Sequence, residues 1–133
     1  MVETPPAREA TILLVEDEGQ IRSFSKHALE RAGYRVLEAR SGTQALEVAQ
    51  QHYGAVDMLV TDMVLPGQSG PELARALAGR RPGLRVLYTS GYHDAVPPGD
   101  APGAFLAKPY MPNALVRRVE EVLSGGTDEG TTA

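Results

Sequence analysis

At 133 residues, with 42% hydrophobic and 23% charged residues, the chain has the size and composition of one globular domain and needs no disulfide or structural metal to fold. It contains no cysteine, which excludes disulfide frameworks, thiol nucleophiles and cysteine zinc sites. A net charge of −4 removes the electrostatic basis for wrapping a phosphate backbone, so direct nucleic-acid binding is not expected.

In chain order, residues 11–15 (TILLV) form a continuous apolar run, the pattern of a strand covered on both faces, and run directly into Glu16, Asp17 and Glu18. After Gly19, the spacing of Ile21, Phe24, Ala28, Leu29 and Ala32 predicts an amphipathic helix that Gly33 can end. Residues 34–37 read as a second strand, and 43–51 as a second helix with Ala45, Leu46 and Ala49 facing inward. Residues 58–61 make a central strand that stops at Asp62. Gly70 and Pro71 suit the start of a third helix packed through Leu73, Ala74, Leu77 and Ala78, which Arg81-Pro82-Gly83 stops. Residues 84–88 are the fourth strand. The connection over 91–103 contains Pro97, Pro98, Gly99, Pro102 and Gly103, so a helix there is expected to be short or irregular. Residues 104–106 supply the last strand, and Leu115, Val119, Val122 and Leu123 stripe the last helix. Residues 1–10 and 124–133 are expected to be flexible tails around a domain over 11–123.

Strands alternating with helical segments imply parallel βαβ units, and right-handed crossovers then place helices on both faces of one sheet. The expected fold is a doubly wound α/β domain. Ligands of such sheets bind beyond the carboxyl ends of the strands, which singles out Glu16, Asp17, Asp62, Ser90 and Lys108. Carboxylates about 4 Å apart repel by about 4 kcal/mol at an effective dielectric near 20, so three in one small site require a cation. All-oxygen donors without a histidine cluster favour Mg2+ over zinc. Lys108 can bring a further positive charge to an anion bound there.

The segments LLVEDE, GYRVLEARSGTQAL, VTDMVLPGQSG, VLYTSGY and FLAKPY stand in this order over 11–123. Together they resemble the receiver domain of two-component response regulators, and the SGY and FLAKPY segments resemble receivers attached to hybrid sensor histidine kinases. The resemblance implies a flavodoxin-like (βα)5 fold with a five-stranded parallel sheet. It implies that Asp62 is the phosphorylated residue, that Asp17 is a direct Mg2+ ligand, that Glu16 acts mostly through metal-bound water, and that the Val64 carbonyl is a further ligand. Ser90 resembles the hydroxyl residue that meets the phosphoryl group, with Thr89 as the alternative, and Phe105 resembles the coupled aromatic. Lys108 would contact the phosphoryl oxygens from a cis Lys108-Pro109 junction. The partner implied is a sensor histidine kinase or a phosphotransfer protein.

Three departures from the family pattern carry expectations of their own. Glu16 stands where many receivers have aspartate. Val64 and Tyr92, two residues beyond the acceptor and the switch hydroxyl, would hinder an attacking water and predict a slowly hydrolysed phosphoaspartate. The Pro/Gly-rich stretch after His93 points to an unusual output face. His27, His52 and His93 are too scattered for a metal site.

The rival readings are a Mg2+-dependent phosphatase or hydrolase with Asp62 as nucleophile, a partner-binding receiver that is not phosphorylated, and a nucleotide-binding module. Val64 occupies the place where such a hydrolase usually carries its second carboxylate. Retention of Asp17, Asp62 and Lys108 opposes the second rival, and no glycine-rich phosphate loop follows the first strand. No apolar run approaches a membrane span, and the polar start with Pro5 and Pro6 lacks the apolar centre of a secretory signal, so a cytoplasmic location is expected. Within this length a DNA-binding output domain is not expected.

Overall fold

The computed structural model describes residues 10–91 and 104–125. Among the described residues, eleven elements run in the order β1 (Thr11–Val15), α1 (Gly19–Arg31), β2 (Arg35–Ala39), α2 (Gly42–Gln51), β3 (Met58–Asp62), β4 (Val64–Leu65), β5 (Gln68–Ser69), α3 (Gly70–Ala78), β6 (Arg85–Ser90), β7 (Ala104–Ala107) and α4 (Pro112–Leu123). The main sheet has five parallel strands in the order β2-β1-β3-β6-β7, the doubly wound arrangement that the alternating pattern predicts. The strand order reverses beside β1, which places a crevice beyond the carboxyl ends of β1 and β3.

Strand alternation divides the core between the two faces. Leu13, Val15, Leu59 and Tyr88 pack with Ala45, Ala49, Leu73 and Leu77 from α2 and α3. Ile12, Leu14, Met58, Val60 and Leu87 pack with Leu29 of α1 and with Leu115, Val119 and Val122 of α4. Every residue of β1 and β3 is buried, which is why both strands read as unbroken apolar runs up to their polar ends. Trimming a fully buried leucine of either strand, such as Leu13 or Leu59, to alanine costs about 2–5 kcal/mol.

Several boundaries differ from the sequence reading. Strand β2 runs from Arg35 to Ala39, and α3 ends at Ala78, which is exposed rather than packed inward. On α1, Ile21, Phe24 and Ala28 are only half-buried, while Ser25 and Leu29 are the residues turned fully into the core. The short antiparallel ribbon β4-β5 was not expected; Gly67 makes its turn with φ +76°. The ribbon leads straight into α3, whose first turn is closed by a reciprocal capping box between Ser69 and Glu72. The expected short or irregular helix after residue 91, with Tyr92 and His93, lies outside the described residues, as do 1–9 and 126–133. Ala10 is buried, and Ser124 and Gly125 complete the last turn of α4 through bonds to the carbonyls of Glu120 and Val122.

Candidate functional site

Three strand ends build the site. Glu16 continues β1 by one residue, its N–H donating to the Ala39 carbonyl at 3.1 Å, and Asp62 is the last residue of β3. Lys108 follows β7 and is held to the sheet by its own N–H, which donates to the Ser90 carbonyl at 2.8 Å. The sheet therefore aims side chains from positions far apart in the chain at one point. Lys108 Nζ lies 2.8 Å from Glu16 Oε1 and 2.8 Å from Asp62 Oδ2.

Glu16 and Asp62 are 2% and 8% exposed, whereas Asp17 is open to solvent. One carboxylate oxygen from each of Glu16, Asp17 and Asp62 lies within 4.8 Å of the other two. That is a hard, all-oxygen donor set with excess negative charge, the chemistry that suits Mg2+. Formally, three carboxylates and one ammonium leave two negative charges, which one divalent cation balances.

Burial raises the pKa of Glu16 above the ordinary glutamate value, opposed by its contact with Lys108 and by the Glu18 N–H, which donates to Glu16 Oε2 at 3.0 Å. For Lys108, burial pulls the pKa down, but the bonds to Asp62 and Glu16 outweigh it and the net shift is upward. The ammonium therefore stays charged throughout the neutral range.

Glycine at position 70 is dictated by close approach. A Cβ there would collide with the backbone carbonyl of Asp62 and press on the Cα of Met63. Gly70 N–H also donates to the Met63 carbonyl at 2.8 Å, so α3 begins directly against the end of β3.

The two candidate hydroxyls are both buried, on strand β6, and on opposite faces of the sheet. Thr89 is in register with Asp62, and so falls on the α1/α4 face. Ser90 lies two residues beyond Tyr88 and falls on the α2/α3 face, the face of Phe105, whose ring stacks on that of Tyr88 with centroids 5.2 Å apart. Val64 is 58% exposed, in β4, two residues past Asp62. The Lys108-Pro109 peptide is cis.

Two groups of residues around the site escaped the sequence reading. Arg22 Nη1 donates to the Glu16 carbonyl at 2.8 Å, while its Nε pairs with Glu38 at 3.4 Å, a carboxylate that Lys26 also meets at 3.3 Å. Tyr110 stacks on Phe24, with centroids 5.8 Å apart, and shares a 2.8 Å hydrogen bond with the buried Ser25 hydroxyl. No local motif announces either set, because each joins α1 to another element, β2 in one case and the β7-α4 connection in the other. The one hint was a serine among the apolar positions of α1.

A doubly wound parallel sheet carrying a carboxylate cluster and a lysine at its carboxyl edge defines an α/β domain with a candidate cation site at the place where such sheets bind ligands. The family model described as the response regulator receiver domain matches residues 12–120, and the chain belongs to that family, the receiver domains of two-component and phosphorelay signalling. The sensor kinase CckA of Brucella abortus (strain 2308) is 42% identical over 118 residues, covering 86% of this chain and 12% of the kinase. This chain thus spans a small part of that relative. The response regulator receiver protein CpdR of the same strain is 36% identical over 116 residues, covering 84% of this chain and 95% of that protein. Among solved structures, the receiver domain of the hybrid histidine kinase CckA superposes with a TM-score of 0.74 at 33% identity, covering 86% of this chain and 99% of that one. The chemotaxis response regulator CheY4 of Vibrio cholerae does so with a TM-score of 0.75 at 26% identity, covering 86% and 98%.

Proposed function

We propose that this chain is a phosphorylation switch in which Asp62 accepts a phosphoryl group from a phosphohistidine on a sensor histidine kinase or phosphotransfer protein. The observation that carries this reading is the convergence of Glu16, Asp17, Asp62 and Lys108 at one end of the sheet, with Lys108 2.8 Å from Asp62 Oδ2. An Asp62 carboxylate oxygen attacks phosphorus, the P–N bond to the donor imidazole breaks, and the imidazole keeps the electron pair and is protonated by solvent. Asp17, Asp62 and the Val64 carbonyl would hold Mg2+, with Glu16 acting mostly through bound water. Mg2+, when bound, offsets the negative charge of the carboxylates and of the phosphoryl oxygens.

Lys108 leaves Asp62 Oδ2 for a phosphoryl oxygen while Glu16 retains its hold on the ammonium. Ser90 is the switch hydroxyl and Thr89 the alternative; Ser90 is favoured because it shares a sheet face with Phe105, the coupled aromatic. The switch unit is the segment over 11–123. It has at most slow autodephosphorylation and no metabolic substrate. It works in the cytoplasm, where its phosphohistidine donor presents the phosphoryl group. The likeness to CckA supports a hybrid-kinase receiver, and the likeness to CpdR over nearly its whole length supports a free regulator.

Beryllofluoride, a phosphoryl mimic, tests the reading directly. Fluorine NMR is expected to show Mg2+-dependent binding to the wild-type protein and none to Asp62→Asn. Equal binding to both proteins, or none to either, would overturn the assignment.

A further inference from the structure

We propose that Tyr110, held by Ser25 of α1, is the residue that positions Lys108 for the phosphoryl group; this inference rests on the function proposed above. Residues 108–111 join β7 to α4, and beyond the two ion pairs of Lys108 Nζ few side-chain bonds restrain them. At one end, the Lys108 N–H is tied to the Ser90 carbonyl. At the other, Met111 caps α4 without a side-chain hydrogen bond. Between these ends, the one side-chain hydrogen bond formed by residues 109–111 among the described residues is that between the Tyr110 and Ser25 hydroxyls, 2.8 Å long and linking positions 85 residues apart.

The partner is unusual in its own right. Ser25 is fully buried in the middle of α1, where the helical stripe calls for an apolar side chain. A buried hydroxyl is costly unless satisfied, and Tyr110 satisfies it. The Tyr110 ring also stacks on Phe24, so α1 grips the residue through both its ring and its oxygen. Only Pro109 separates Tyr110 from Lys108, so this grip acts on the turn that carries the ammonium.

Packing alone leaves the turn room to shift. A hollow of about 260 Å³ lies next to it, lined by Ile21, Phe24, Gly91, Lys108, Pro109 and Tyr110. Without the hydroxyl contact, the Lys108 turn can relax into this space and carry the ammonium away from the position it must hold as a phosphoryl oxygen arrives. Asp62 does not prevent this, since Lys108 has to exchange it for the phosphoryl group during transfer, and Glu16 then holds the ammonium at one point only.

The test compares Tyr110→Phe, Ser25→Ala and the double variant in three measurements: phosphorylation rate by acetyl phosphate at saturating Mg2+, Mg2+ affinity by calorimetry, and Tm. Tyr110→Phe is expected to slow phosphorylation about fivefold, the equivalent of one ordinary hydrogen bond, with Mg2+ affinity within about twofold of wild type. The double variant removes both hydroxyls and leaves no orphan, so it is expected to recover Tm while remaining slow. Recovery of rate together with Tm would show a purely structural role and overturn the proposal. Wild-type rates in the single variants, or a loss of Mg2+ affinity in step with rate, would also overturn it. If the wild-type protein takes up no phosphoryl group, the proposed function falls and this inference with it; uptake by wild type with unaffected variants sinks the inference alone.

Discussion

Replacing Lys108 with methionine keeps most of the apolar stem and removes the ammonium that sits 2.8 Å from both Glu16 and Asp62. The two buried carboxylates, with oxygens within 4.8 Å of each other, then repel by about 3.5 kcal/mol at an effective dielectric near 20. Allowing for relaxation and water entry, a stability deficit of about 2–4 kcal/mol is expected at neutral pH. The pH dependence fixes the cause. Burial already raises the Glu16 pKa above 4.5, and Lys108 opposes that rise, so the variant's Glu16 titrates higher still. A raised carboxyl pKa means that the folded state holds its proton more tightly than the unfolded chain. The deficit is therefore small below the ordinary carboxyl range and grows as pH rises through the raised pKa. Urea denaturation followed by circular dichroism at about pH 4 and about pH 7.5, each with and without Mg2+, measures this. The deficit is expected to shrink at the lower pH, and at the higher pH to shrink when Mg2+ is added. A deficit equal at both pH values and indifferent to Mg2+ would show that Lys108 stabilises by packing and would refute the electrostatic account.

Asp17→Asn alters an exposed carboxylate, so stability is expected to stay within about 0.5 kcal/mol while calorimetry shows weakened Mg2+ binding; unchanged binding would remove Asp17 from the ligand set. Gly70→Ala drives a Cβ into the Asp62 carbonyl and is expected to cost about 1–3 kcal/mol in urea denaturation and to slow phosphorylation; a neutral result would mean that the start of α3 can shift freely. The phosphoaspartate is expected to outlast seconds in Mg2+, with Val64→Asn shortening its life by admitting a polar group beside Asp62. A wild-type lifetime of only seconds would contradict the shielding role of Val64.

The parts of the fold legible in the sequence are those set by local pattern. β1 and β3 are buried on both faces, so their runs are apolar over Ile12 to Val15 and Met58 to Val60, and the acidic residues Glu16 and Asp62 stand out just past them. Lys108 was legible because a short apolar strand precedes it and a proline follows. Thr89 and Ser90 are polar but still inside β6, which extends to Ser90 because Thr89 stays paired with both β3 and β7 and Ser90 with β7. A reading that ended the strand at the last apolar residue necessarily stopped short. The β4-β5 ribbon has two residues a side, too few to show alternation. The Arg22-Glu38 pair and the Tyr110-Ser25 bond depend on how α1 packs against β2 and the β7-α4 connection, which local sequence pattern does not encode.

Acetyl phosphate with Mg2+, followed by intact mass and by peptide mapping of the modified residue, tests the central claim most directly. One phosphoryl adduct is expected on wild type, mapped to Asp62, dependent on Mg2+ and absent from Asp62→Asn. An adduct that persists in Asp62→Asn, or a wild-type protein that stays unmodified at saturating Mg2+, would contradict it.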